Sequence, residues 1–152
     1  MSIYVLAFLI GVIGGLRSLT APAAVSWAAR LGWLHLENTW LAFLGAAATP
    51  YILSALAIGE LINDKLPKTP SRKAPLGFGV RIAVGAMCGA AIGASSQALM
   101  GGLIAGVLGA IAGTLGGYEA RRRAAIAAGK DLPIALLEDA IAVCSAFWIV
   151  SR

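Results

Sequence analysis

Two arginines stand inside runs of sequence that otherwise read as membrane-spanning helix. Arg17 follows Gly14-Gly15-Leu16, and Arg81 follows Phe78-Gly79-Val80. An arginine near the centre of a bilayer costs about 2.5–3.5 kcal/mol on insertion scales. A chain retains such a residue where the bundle supplies a partner or a wet cavity. The arginines therefore demand a polar feature inside an apolar fold.

Composition fixes the class around them. Hydrophobic residues make up 59% of the 152 residues and charged residues 12%, where a soluble domain carries about 25% charged. Mean hydropathy is +0.85. The chain reads as one transmembrane domain, 1–152, an all-α bundle of about five spans, four to five by length. The apolar start, MSIYVLAFLIGVIGG, lacks a basic leader region and reads as a retained helix. Cys88 and Cys144 both fall in apolar spans, as buried thiols rather than a disulfide.

Five stretches carry the spans. The first runs from about Ile3 to Trp33. As one helix it would be ~46 Å long, more than the ~30 Å hydrocarbon core. Gly14-Gly15 and Pro22 bracket Arg17, so a break is expected near it. The second covers about Trp40–Glu60, with Pro50 near its middle. The third covers Phe78–Ala94 and the fourth Leu99–Tyr118. The segment ARRRAAIAAGKD then reads as a basic loop. The fifth runs from Leu132-Pro133 to about Val150.

Lys65, Lys68, Arg72 and Lys73 follow the second span, and Arg121, Arg122, Arg123 and Lys130 follow the fourth. Basic loops stay cytoplasmic, which puts the N-terminus inside and the C-terminus outside. Trp33, Trp40 and Trp148 then form an aromatic belt at the outer face. The net charge of +5 is accounted for by these loops, and no aromatic–basic pattern points to nucleic acid. The Arg121–Arg123 run is suited to anchoring at anionic lipid.

Glycines set the packing. Gly85, Gly89 and Gly93 recur every fourth residue on the third span. Ala105, Gly109, Gly113 and Gly117 do so on the fourth. These stripes suit a close hairpin between the two spans, or a contact between copies in a homo-oligomer. GGLRSLTAPAA and FGVRIAVGAMCGAA align around their arginines, suggesting a weak parallel internal repeat.

The candidate site is the set of charges Arg81, Glu60, Glu138 and Asp139 near the cytoplasmic ends, with Arg17 approaching from the middle of the first span and Ser18 and Thr20 beside it as hydroxyl donors. Two readings stand. The charges form ion pairs that hold the bundle together, or they bind an anion or line a polar path. Glu60, Asp64, Glu138 and Asp139 are weak candidates for a hard cation. No cofactor is expected. His35 is solitary and reads as a surface residue, and the glycines lack the Lys-Ser/Thr ending of a phosphate loop.

The segment GELINDKLPKTPSRKAPLGFGVRIAVGAMCGAAIG, with the earlier GGLRSLTAPAA, resembles the small bacterial integral membrane proteins grouped as domain of unknown function 4126. Glu60, Asp64, Lys65, Pro67, Pro70, Arg72, Arg81 and Arg17 carry the likeness. The resemblance implies a helical bundle in the bacterial inner membrane and brings no activity with it.

Three functions follow as expectations. The leading one is a transporter or channel for a polar or anionic solute, more a transport protein than an enzyme. The second is an enzyme or binding protein for a lipid phosphate headgroup at the cytoplasmic face. The third is a non-catalytic subunit that docks a larger membrane complex through its glycine faces.

Overall fold

The computed structural model describes residues 2–63, 75–129 and 132–152. Within them the protein is all-helical. Its elements are α1 (Ile3–Leu16), α2 (Thr20–Arg30), a 3₁₀ helix (Trp40–Gly45), α3 (Thr49–Asn63), α4 (Pro75–Ala94), α5 (Leu99–Ala128) and α6 (Leu132–Val150). Three helices are long and apolar enough to cross a membrane: Leu76–Ala94, Leu99–Ala128 and Pro133–Val150. Ile3–Leu16 and Thr49–Ile62 are apolar but shorter. The five full-length spans expected from the sequence are thus three long helices and two short ones.

The first stretch breaks at Arg17, as the Gly-Gly pair and proline suggest. Arg17 leaves α1 in an extended conformation, φ −139° and ψ 105°. The chain then reverses. Tyr4 lies against Gly101 near the start of α5, whereas Gly15 lies against Ala110 and Thr114 further along it. α1 therefore runs parallel to α5. Beyond α2, His35, Glu37, Asn38 and Thr39 line one cavity with Ala94, Ser95, Gln97 and Leu99. The chain has returned to the end from which α1 set out. α1 and α2 form an out-and-back hairpin with its tip at Arg17-Ser18-Leu19, where the sequence suggested one crossing with a kink.

α3 packs antiparallel along α2. Leu19 at the start of α2 meets Glu60, and Trp27 near its end donates to the Ser54 hydroxyl at 2.8 Å. The Trp27 and Tyr51 rings meet edge-on, 5.2 Å between centroids. Pro50 does not sit mid-helix as the second stretch implied. It occupies the first turn of α3, where its missing N–H costs nothing. Residues Trp40–Gly45 before it form the separate 3₁₀ helix, tied by the Thr49 hydroxyl to the Phe43 carbonyl at 2.8 Å.

Glycine packing builds the core of α1, α4 and α5. Gly85, Gly89 and Gly93 of α4 face Gly106, Gly102 and Ala98 so closely that a methyl group on any of them would collide with backbone or with Ala110. Gly109 and Gly113 face Phe8 and Val12 of α1. α5 thus carries two adjacent glycine stripes. Gly102 and Gly106 make the α4 hairpin contact, and the stripe picked out by sequence spacing serves α1. Gly117 lies beyond both, on a cavity toward α6. The glycine faces of α4 and α5 are engaged within one chain, which argues against their use between copies.

α4 and α1 run antiparallel, since Gly14 meets Gly85 and Gly15 meets Arg81. A parallel repeat pairing Arg17 with Arg81 would need α1 and α4 to run the same way, and the fold excludes it. The expected loop ARRRAAIAAGKD is helical through Ala128. Alanine and arginine favour helix, and Glu119 bonds Arg122 and Arg123 one turn on, at 2.6 and 2.9 Å. The helix stops at Gly129, whose φ of 73° is a left-handed cap.

Candidate functional site

The hairpin tip exposes two sets of backbone groups that a continuous helix would have satisfied. α1 ends there with unpaired carbonyls, and α2 begins there with unpaired N–H groups. These helix ends carry partial negative and positive charge respectively. Each end meets a side chain of opposite sign.

At the end of α1, the Gly15 carbonyl accepts from the Arg81 guanidinium at 2.9 Å and from the Thr114 hydroxyl at 3.3 Å. At the start of α2, the Glu60 carboxylate accepts from the Ser18 N–H at 2.8 Å, the Ser18 hydroxyl at 3.0 Å and the Leu19 N–H at 2.7 Å. Between the two ends, Arg17 is fully buried. Its Nε donates to Asp139 Oδ1 at 2.7 Å, and its Nη2 pairs with the same oxygen. Asp139 is itself 8% exposed. Thr20 opens α2 with its hydroxyl buried and unpartnered among protein groups.

Five of the seven residues expected at the site thus converge directly: Arg17, Ser18, Arg81, Glu60 and Asp139. Thr20 adjoins them. Glu138 belongs elsewhere, lying 4.0 Å from Arg121 on α5. Adjacent positions on a helix point about 100° apart, so Asp139 turns inward to the hairpin tip while Glu138 turns toward α5. Thr20, Ala21 and Ala24, in the first two turns of α2, are buried beside the tip.

Two contributors carry weaker sequence signals. Thr114 is the only serine or threonine on α5, and a solitary hydroxyl in a Gly/Ala/Leu helix is a cue to a polar neighbour. The Gly15 carbonyl has no side-chain signature at all. It becomes a ligand because the helix ends there.

Of the four carboxylates that the sequence offers to a cation, three are described. Glu60 meets the Ser18 and Leu19 N–H groups, Glu138 lies near Arg121 and Asp139 pairs with Arg17; Asp64 lies outside the described residues. Among the described residues no group of three or more His, Cys, Asp or Glu side chains is placed to hold a metal ion. Among the described residues, cavities open on either side of the bundle. One of about 240 Å³ opens between α5 and α6, lined by Leu16, Gly117, Arg121, Ile134, Leu137, Glu138 and others. One of about 420 Å³ lies at the opposite end, beside His35, Glu37 and Gln97.

No protein-family model matches the chain, and no curated protein or solved structure matches it.

Proposed function

We propose that this protein is a small membrane transporter or channel for a polar or anionic solute, with the α1–α2 hairpin tip as its site. One observation carries the reading. Two opposed helix ends and the side chains of Arg17, Arg81, Glu60 and Asp139 meet at one point, with Arg17 and Asp139 buried and Glu60 and Arg81 half-buried. Bundles built only for stability do better with apolar packing than with buried ion pairs. Broken helices buried within membrane proteins characteristically line sites for ions and charged substrates.

The arrangement is a closed state in this reading. Glu60 occupies the N–H groups that open α2, the position an anionic solute would take. Asp139 neutralises Arg17 until a solute anion replaces it. Thr20, with its buried hydroxyl, supplies a further donor or acceptor.

The membrane is the bacterial inner membrane, as the resemblance to the domain of unknown function 4126 family implies. Basic segments on the cytoplasmic side place Lys65, Lys68, Arg72, Lys73 and Arg121–Arg123 inside. The hairpin enters and leaves on one face, and α3 to α6 cross four times. Both termini are then external, along with exposed Trp33, Trp40 and Trp148. This reverses the side assigned to the N-terminus from sequence. The docking-subunit reading loses its support, because the glycine faces it relied on are engaged within the chain.

Flux into proteoliposomes, measured in turn with chloride, acetate and phosphate, tests the proposal. Flux of at least one anion above empty vesicles is expected, falling at least tenfold in Arg17→Ala and Asp139→Asn. Flux indistinguishable from empty vesicles for all three would reject anion transport. Undiminished flux in both variants would reject the tip as the site.

A further inference from the structure

The α5–α6 cleft has a pattern that the hairpin tip does not use. Gly117, Ala120, Arg121 and Ala124 line it from α5, and Ile134, Leu137, Glu138 and Ile141 line it from α6. Each set follows i, i+3, i+4, i+7, so each is one continuous helix face. The two faces match: small or apolar residues throughout, with one charged residue at the third position of each. The walls enclose about 240 Å³ and are otherwise hydrocarbon. Arg121 and Glu138 meet there at 4.0 Å, at the outer limit of an ion pair. Their side chains are 16% and 13% exposed, so the charges sit within the cleft and not on the open surface. Arg122 and Arg123 follow on the same helix and are well exposed.

We propose that this cleft binds one anionic phospholipid, with an acyl chain along the apolar walls and the phosphate on Arg121. Such a site requires only that the helices are membrane-embedded and is independent of transport. The medium around such a cleft supplies hydrocarbon chains, and the small residues Gly117, Ala120 and Ala124 leave the width for one. An arginine binds phosphate through a fork of N–H donors. The phosphate would take the place of the Glu138 carboxylate, and the exposed Arg122 and Arg123 raise the local concentration of anionic headgroups. Glu138 then acts as an internal competitor, which weakens retention of a neutral or zwitterionic lipid less than that of an anionic one.

Native mass spectrometry of the full chain in detergent tests this, using phosphatidylglycerol against phosphatidylcholine. The wild type is expected to retain phosphatidylglycerol about tenfold better. Arg121→Gln and Ala124→Leu should each bring the ratio close to one, and Arg30→Gln, exposed at the end of α2 and away from the cleft, should leave it within about twofold. Glu138→Gln should raise phosphatidylglycerol retention several-fold, a gain that misfolding cannot produce. Equal retention of the two lipids by the wild type would overturn the proposal. So would unchanged or lowered phosphatidylglycerol retention in Glu138→Gln.

Discussion

Replacing Arg17 and Asp139 singly and together measures what the hairpin tip contributes to the fold. The side chain of Arg17 is fully buried and that of Asp139 is 12% exposed. That places the pair with buried ion pairs, where loss of one partner costs about 3–5 kcal/mol, and not with surface pairs, where it costs about 0–1. Arg17→Met leaves a carboxylate buried at the tip, and Asp139→Leu leaves a guanidinium. Each variant is therefore expected to lose about 3 kcal/mol, roughly a hundredfold in the unfolding equilibrium. The double variant removes both charges and fills the space with hydrocarbon. It should lose about 2–3 kcal/mol less than the sum of the single losses. The assay is denaturant unfolding in mild detergent, followed by tryptophan fluorescence. Single losses below about 1 kcal/mol, or additivity within about 0.5 kcal/mol, would refute the claim that the two residues form a buried pair.

Other perturbations separate the remaining contacts. Glu60→Gln keeps the shape but supplies one weaker acceptor where the carboxylate served Ser18 and Leu19; a loss of about 1.5–3 kcal/mol is expected, with faster amide exchange at Leu19 than in the wild type. Gly106→Ala would push a methyl group into the backbone of Gly85 and Gly89, costing about 1–3 kcal/mol in the same unfolding assay. Gly116→Ala, with no atom within 4 Å of the new carbon, should instead gain about 0.5–1 kcal/mol. Gln97 holds a φ of 58° in the turn after α4, so Gln97→Gly should raise the thermal midpoint through a gain of about 1 kcal/mol.

The α4–α5 hairpin was legible because its connection is short and its glycines recur at helical spacing. α6 was equally clear from Leu132-Pro133 and the apolar run behind it. Arg17 announced a break, since Gly-Gly before it and Pro22 after it weaken the helix locally. The reversal was not legible. A kinked crossing and an out-and-back hairpin share the same local signals; the packing of Tyr4 on Gly101 and the cavity that His35, Glu37, Asn38 and Thr39 share with the turn after α4 distinguish them. The choice of glycine face on α5 failed for a related reason. Two stripes about 60° apart both repeat every fourth residue, and which one meets α4 depends on where α1 packs. The charge cluster was visible as a set of residues but not as pairings. Asp139 and Glu138 are neighbours in sequence and face different helices, and the Gly15 carbonyl enters the site only through the chain's path.

That path is most directly tested by the sidedness of three positions. With Cys88 and Cys144 replaced by alanine, single cysteines at Ser2, Asn38 and Ala127 would be labelled in right-side-out and inverted vesicles with a membrane-impermeant maleimide. The hairpin predicts that Ser2 and Asn38 label from the same side and Ala127 from the other. Labelling of Ser2 and Asn38 from opposite sides would mean that the first stretch crosses the membrane once, and would contradict the account.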